Sequence, residues 1–171
     1  MGIGASFGAA FAKAQIAAGT VLALKGAVFI SVCEEDKPAV LPTAVRLARA
    51  GFRLVATRGT AEFLRANGLA VETMNKVLEG SPHVVDAIRS GAIAMLINTP
   101  VGFGPNLDSY LIRRSALECR VPYFTTVAGA EAAAEGVELL QREALTVCPL
   151  QVYHHRDGEE RSATSRAASA Q

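Results

Sequence analysis

The sequence predicts an α/β domain built on one five-stranded parallel sheet with helices on both faces. Five short apolar runs alternate along the chain with stretches of helical periodicity, and such strict alternation requires helical crossovers between parallel strands. The runs are nearly continuous in apolar residues, which is typical of strands buried on both faces. Right-handed crossovers leave few topologies, and we expect a doubly wound sheet with strand order 3-2-1-4-5.

Each predicted strand is a run of about five to seven residues. The strands are predicted over residues 27–33, 53–57, 71–75, 94–99 and 123–127. In the expected order the third and fifth strands form the edges of the sheet.

Helix boundaries follow from capping residues, prolines and glycines. Ser6 is a plausible N-cap for an opening helix that ends before Gly19. Pro38 suits the first turn of the second helix, with Asp36 as its expected cap and Gly51 at its end. The remaining helices are predicted from Thr60 to Gly68, from Ser81-Pro82 to Gly91, from Asp108 to Cys119 and from Gly129 to Arg142.

Composition and charge exclude several classes of protein. Half of the 171 residues are apolar, and 17 Lys and Arg residues nearly balance 16 Asp and Glu residues. This balance argues against a disordered chain and against a general nucleic-acid binder, which needs a basic excess. No apolar window is long enough to predict a membrane-spanning helix. Three widely spaced cysteines predict neither a disulfide framework nor a thiolate zinc site, and they favour a cytoplasmic location.

Polar residues lie at or after the carboxyl ends of the first four predicted strands, at the edge where parallel sheets bind ligands. They are Lys37, Thr57, Gly59, Thr60, Lys76, Asn98 and Thr99. Taken singly, loop lysines are usually solvated and Thr-x-Gly-Thr is ordinary turn chemistry. Together they favour an anion site, because backbone amides at the helix start after Gly59 would point at a phosphate.

Other polar groups give weaker signals. His83 and Asp86 are three residues apart on one helix, a spacing that a metal or acid–base site could use but that is more often a surface hydrogen bond. Gly102-Phe103-Gly104-Pro105 lacks a nucleotide-binding signature and is interpreted as a flexible lip. No nucleophile–base pair and no metal site is predicted.

Six segments form a recognisable combination. They are FAKAQ (11–15), SVCEEDK (31–37), GFRLVATRGTAEFL (51–64), NKVLEGSPHVVDAIRSG (75–91), LINTP (96–100) and IRRSAL (112–117). Over roughly residues 1–150 the chain resembles the C-terminal allosteric domain of the carbamoyl-phosphate synthase large chain, a member of the methylglyoxal-synthase-like group. The resemblance implies a junction helix over 1–19 and the allosteric domain over 20–150. The tail over 151–171 is polar and has no periodicity, so we expect it to be mobile. It also leads us to expect the terminal piece of a larger polypeptide, or the product of a split or truncated reading frame.

The resemblance implies a nucleotide-sensing regulatory domain with no catalytic residues and no cofactor of its own. In bacterial members UMP inhibits and IMP activates from one overlapping site, and ornithine activates from the seam with the neighbouring domain. Carried over by motif, the phosphate contacts fall on the polar residues named above, Leu111 and Ile112 line the base pocket, and Thr125 lies near the ornithine seam. The large chain would be an ATP-dependent ligase that uses Mg, Mn and K ions and serves pyrimidine and arginine biosynthesis. Its further partners would be the other large-chain domains and the glutaminase small chain.

One departure from the relatives and one alternative function remain. Relatives often carry a second threonine where this chain has Pro100, and proline offers no donor to a phosphate. The alternative is a phosphate-eliminating lyase like methylglyoxal synthase, whose aspartate base lies in a G-G-D motif. The matching stretch Glu79-Gly80-Ser81-Pro82-His83 has no aspartate, so the phosphate cradle is kept while the acid–base groups are missing.

Overall fold

A computed structural model describes residues 1–99 and 107–152 of the chain, with the Leu107 side chain left aside. The strands are β1 (Ala27–Ser31), β2 (Arg53–Ala56), β3 (Val71–Thr73), β4 (Met95–Asn98) and β5 (Tyr123–Phe124). The helices are α1 (Phe7–Ala17), α2 (Lys37–Arg49), α3 (Arg58–Ala66), α4 (Val84–Arg89), α5 (Leu107–Glu118) and α6 (Val127–Arg142). A short 3₁₀ turn covers Val77–Glu79.

The five strands form one parallel sheet in the order β3-β2-β1-β4-β5. The predicted α/β class, strand directions and strand order are therefore confirmed. Along β1, Val28 is paired with Leu54 of β2 on one side and with Met95 of β4 on the other. Strand β1 is thus the central strand. The edges are β3 and β5, as the sequence predicts.

Helices cover both faces of the sheet, and the strand residues alternate between them. On one face Val28 and Ile30 pack in a core that also contains residues of α1, α2, α3 and α6. On the other face Phe29 and Leu96 pack against residues of α4 and α5. The nearly continuous apolar runs are explained by this burial on both faces. Within the described ranges, no helix is long and apolar enough to cross a membrane.

Several predicted element ends are wrong by a few residues. The fifth strand stops at Phe124 because the Thr126 hydroxyl accepts a hydrogen bond from the Gly129 amide at 3.1 Å and starts α6 there. The predicted helix at Ser81-Pro82 instead begins at Val84, with His83 as its N-cap. His83 forms an isolated parallel β-bridge with Asn75. The backbone is therefore still extended at His83, and the helix starts only after it. Residues 153–171 of the predicted tail and the predicted lip at 102–105 lie outside the described residues.

Candidate functional site

The sheet has its switch point between β1 and β4. From β1 the chain runs outward to β2 and β3, then returns to place β4 on the other side of β1. The connection after β1 leads to β2 on one side, and the connection after β4 leads to β5 on the other side. A crevice therefore opens at the carboxyl ends of β1 and β4, where open α/β sheets bind ligands. Ser31 and Asn98 are the paired last residues of these strands. The predicted residue Asn98 is therefore located at the switch point itself.

Asn98 is a buried polar residue with an unused donor. The residue is only 2 % exposed, and its Nδ2 finds no hydrogen-bond partner among the described residues. Leaving a buried donor unpaired costs about 1–3 kcal/mol, and such groups in folded proteins call for an explanation. A ligand acceptor at the switch point would satisfy this amide.

The first turn of α3 supplies further donors. The Thr57 hydroxyl donates to Thr60 Oγ1 at 3.3 Å, and Thr60 Oγ1 also accepts from the Val32 amide at 3.4 Å. Both threonines are buried. Thr57 is the N-cap residue, but its side chain makes no capping bond. In the part of the chain that the structure describes, the amides of 58–60 have no acceptor, as helix starts allow. This end of α3 can therefore accept an anion.

Lys37 lies against the same helix start. Its side chain is 11 % exposed, and Nζ is 2.6 Å from Glu34 Oε1, whose side chain is 84 % exposed. A Cβ added at Gly59 would lie 3.4 Å from Lys37 Nζ and 4.0 Å from Glu34 Oε1. The ammonium is thus held beside the positive end of α3, where a cation is disfavoured and an anion is favoured.

Thr99 and Asp36 shape the loop after β1. Thr99 Oγ1 accepts from the Cys33 amide at 3.2 Å and contacts Cys33 Sγ at 3.7 Å. Asp36 Oδ2 accepts from Cys33 Sγ at 3.1 Å and makes no bond to α2. The predicted Asp36 cap is therefore wrong, because the residue has helical backbone angles and Pro38 removes one of the amides that a cap would bind. The Thr99 hydroxyl ties the β1 loop to β4.

The remaining predicted site residues are more dispersed. Lys76 precedes the 3₁₀ turn, its amide bonded to Glu79 Oε2 at 2.9 Å, and no bond joins its side chain to the other predicted phosphate contacts within the described ranges. Ile112 is 1 % exposed within the core between the sheet and α4, while Leu111 beside it is half-buried. Thr125 is half-buried directly after β5. The phosphate, base-pocket and ornithine roles of these residues stay predictions.

His83 and Asp86 form a helix cap. The His83 amide donates to Asp86 Oδ2 at 3.1 Å, the Asp86 amide donates to His83 Nδ1 at 3.4 Å, and Ser81 Oγ donates to Asp86 Oδ2 at 2.9 Å. The His83 and Ser81 hydrogen bonds lower the pKa of the Asp86 carboxyl. This pattern is a reciprocal capping box on α4. Across the described residues, no cluster of three or more His, Cys, Asp or Glu side chains could hold a metal ion.

Sequence reasoning missed two residues of this site. Glu34 and Cys33 are not among the predicted site residues, yet both lie in the loop after β1, where Glu34 contacts Lys37 and Cys33 contacts Thr99. The Glu34–Lys37 spacing of three residues across a helix start is the signal that could have found the ion pair. Nothing in the sequence indicates the Cys33 contacts, because they depend on the pairing of β1 with β4.

Comparison with known proteins adds a family to this geometry. A protein-family model described as "MGS-like domain" matches residues 39–125, a span that runs from α2 to the end of β5. The chain belongs to the MGS-like domain family. The resemblance to the methylglyoxal-synthase-like group is thereby confirmed.

Relatives of this MGS-like domain are carbamoyl phosphate synthase large chains. The "Carbamoyl phosphate synthase large chain, C-terminal section" of Methanopyrus kandleri is 50% identical over 158 residues, which cover 92% of this chain and 29% of the relative. The large chain of Acidobacterium capsulatum is 47% identical over 154 residues, 90% of this chain and 14% of that protein. The large chain of Neisseria meningitidis serogroup A is 49% identical over 158 residues, which cover 91% of this chain and 14% of that protein. The MGS-like domain thus spans less than one third of each of these relatives.

Proposed function

We propose that this chain is the nucleotide-sensing regulatory domain of a carbamoyl-phosphate synthase large chain. In this proposal it binds the phosphate of UMP or IMP at the carboxyl ends of β1 and β4 and carries out no chemistry itself. Two lines support it: similarity to large chains over nine-tenths of the sequence, and a set of phosphate-compatible donors at the switch point. Control of ATP-dependent carbamoyl phosphate synthesis, for pyrimidine and arginine biosynthesis, then belongs to the whole protein with its glutaminase small chain.

The single observation that carries the proposal is the buried amide of Asn98 at the end of β4, on the same edge of the sheet as the open end of α3. Asn98 Nδ2 has no partner among the described residues, and the first amides of α3 have none either. Lys37 adds a largely buried positive charge at that helix end. Charge-assisted hydrogen bonds of this kind to phosphate contribute about 1.5–3 kcal/mol each. In this proposal these donors bind the phosphate, and no neighbouring nucleophile or base takes part.

The test is a calorimetric titration of the chain with UMP, IMP and ornithine. We expect both nucleotides to bind, and we expect Lys37→Ala to weaken each by about tenfold or more, since 1.4 kcal/mol corresponds to a factor of ten. Lys76→Ala tests the predicted contact on the third loop, and we expect it too to weaken nucleotide binding by about tenfold or more. Higher salt should weaken the parent more than Lys37→Ala, because the lost contact is charged.

Lys25→Ala is the matched control, since Lys25 is exposed and precedes β1 at the opposite end of the sheet. Nucleotide affinity equal in the parent and in Lys37→Ala would contradict the proposed site. Conversion of dihydroxyacetone phosphate to methylglyoxal by the parent would instead favour the lyase alternative. Ornithine contacts at Thr125 involve a neighbouring domain, so weak or absent ornithine binding by this chain is compatible with the proposal.

A further inference from the structure

The loop after β1 places the carboxylate of Glu34 on Lys37, the cation that we propose binds the ligand phosphate. Glu34 Oε1 is 2.6 Å from Lys37 Nζ, a short charge-assisted contact. A Cβ at Gly59 would lie 4.0 Å from the same carboxylate oxygen. The carboxylate of Glu34 is therefore located near the start of α3, on the ammonium that a phosphate would also approach.

Exposure distinguishes the two partners of this ion pair. The Glu34 side chain is 84 % exposed, whereas the Lys37 side chain is 11 % exposed. An exposed glutamate gives up an ion pair at little cost, because water solvates the released carboxylate. The largely buried ammonium keeps its place beside α3 in either case. Glu34 can thus move away while Lys37 stays.

We propose that Glu34 is an internal competitor that occupies Lys37 and is displaced when an anion binds to the site. The inference rests on the proposed function, because it takes the phosphate site as given and adds the residue that sets its affinity. Lys37 and the start of α3 are both positive, and Glu34 supplies a provisional counter-charge. A ligand phosphate has more charge and more acceptor oxygens than one carboxylate, and it can also reach Asn98 and the α3 amides.

The test uses inorganic phosphate and UMP as probes, titrated into the parent chain and variants with NMR detection at constant ionic strength. In Glu34→Gln the phosphate no longer has to displace a carboxylate from Lys37, so we expect this variant to bind phosphate up to about fivefold more tightly than the parent. Glu35→Gln is the matched control, because Glu35 is the exposed neighbour in sequence and the charge change is identical. We expect that control to remain within about twofold of the parent. In a Lys37→Ala background Glu34→Gln should have no further effect.

Three results would overturn the inference. If Glu34→Gln binds phosphate no more tightly than Glu35→Gln does, Glu34 does not compete for Lys37. The proposed phosphate site would still stand in that case, provided that the parent binds phosphate. A gain that persists with Lys37→Ala would show an unspecific charge effect. Failure of both the parent and Glu34→Gln to bind phosphate and UMP would refute the proposed function together with this inference. Binding by Glu34→Gln alone would support the competitor role.

Discussion

Asn98 shows how one residue can serve binding at the expense of stability. Asn98 is only 2 % exposed at the end of the central pair of strands, and its Nδ2 is buried, so the side-chain amide is shielded from water. An unpaired buried amide destabilises the fold by about 1–3 kcal/mol. A residue of this type at the switch point is consistent with the usual trade of stability for function at binding sites.

Asn98→Leu separates these two effects. Leucine has nearly the same shape and leaves no unpaired donor, so we expect the free energy of unfolding to stay equal or rise by about 1 kcal/mol. Phosphate and UMP binding should weaken by about tenfold or more. Urea denaturation gives the first quantity and calorimetry the second. Asn67→Leu is the control, since Asn67 is exposed at the end of α3 and its side-chain amide donates to the Phe63 carbonyl at 2.9 Å. If Asn98→Leu binds nucleotide as tightly as this control does, the role assigned to Asn98 is wrong.

Short elements in this chain depend on side-chain caps. Helix α4 has only six residues, and a helix of that length has little stability of its own. Its first turn is closed by the reciprocal bonds between His83 and Asp86 and by the Ser81 hydroxyl. Val84, Val85 and Ile88 then bury the helix against the sheet. The cap fixes where this buried face begins.

The Asp86 cap predicts a pH dependence of stability. Hydrogen bonds from His83 and Ser81 lower the pKa of Asp86 in the folded state, so the folded state favours the charged carboxylate. This stabilisation is fully present above the unfolded pKa, about 3.9, and is lost as pH falls through the lower folded pKa. We expect Asp86→Ala to be less stable than the parent at pH 7, and the difference to shrink below about pH 4.

Thermal unfolding from pH 7 to pH 2.5 measures this difference. Glu62→Ala serves as the control, because Glu62 is an exposed carboxylate on α3 without an ion pair among the described residues. A stability gap between Asp86→Ala and the parent that stays constant down to pH 2.5 would show that the carboxylate charge is not what stabilises the cap.

At the scale of the whole molecule, the fold could be predicted because local pattern and topology agree. Continuous apolar runs such as Val28–Ile30 and Met95–Ile97 lie between helices that cover both faces, and parallel pairing leaves few strand orders. Element ends were less predictable. The run Tyr123–Val127 looks like one strand in sequence, and only the Thr126 cap divides it.

The candidate site could be predicted only in part. Lys37, Thr57 and Asn98 could be selected because each lies at or after the carboxyl end of a strand, and strand ends converge at one edge of a parallel sheet; their ligand contacts stay predictions. The acid in the ion pair, Glu34, and the tether from Cys33 to Thr99 depend on side-chain positions that no pattern encodes. Lys76 follows an edge strand, where convergence with the centre is weakest, and its contact stays a prediction.

Helix α1 connects the predicted junction segment to the rest of the molecule. The boundary near residue 19 stays a prediction. Ala12 of α1 is fully buried in the core cluster on one face of the sheet. Nearby, a Cβ at Gly8 would lie 3.0 Å from the Glu135 carbonyl oxygen of α6. A Cβ at Gly136 would lie 3.6 Å from Ala12 Cβ. Small residues thus let α1 approach α6 closely, and α1 packs as part of the same folded unit.

Ala12→Leu tests whether α1 folds with the sheet. The added side chain has no room between α1 and α6, and overpacking of this kind costs about 1–3 kcal/mol. We expect a lower urea midpoint with an unchanged slope and a single transition, because α1 and the sheet unfold together. Ala17→Leu is the matched control: Ala17 is exposed on the last turn of the same helix, so its midpoint should stay near that of the parent. If instead Ala12→Leu unfolded at the parent's midpoint, or if α1 unfolded in a separate transition, residues 1–19 would behave as an independent junction. Only a helix that is loosely attached to α6 can accommodate a leucine at this position without destabilising the sheet.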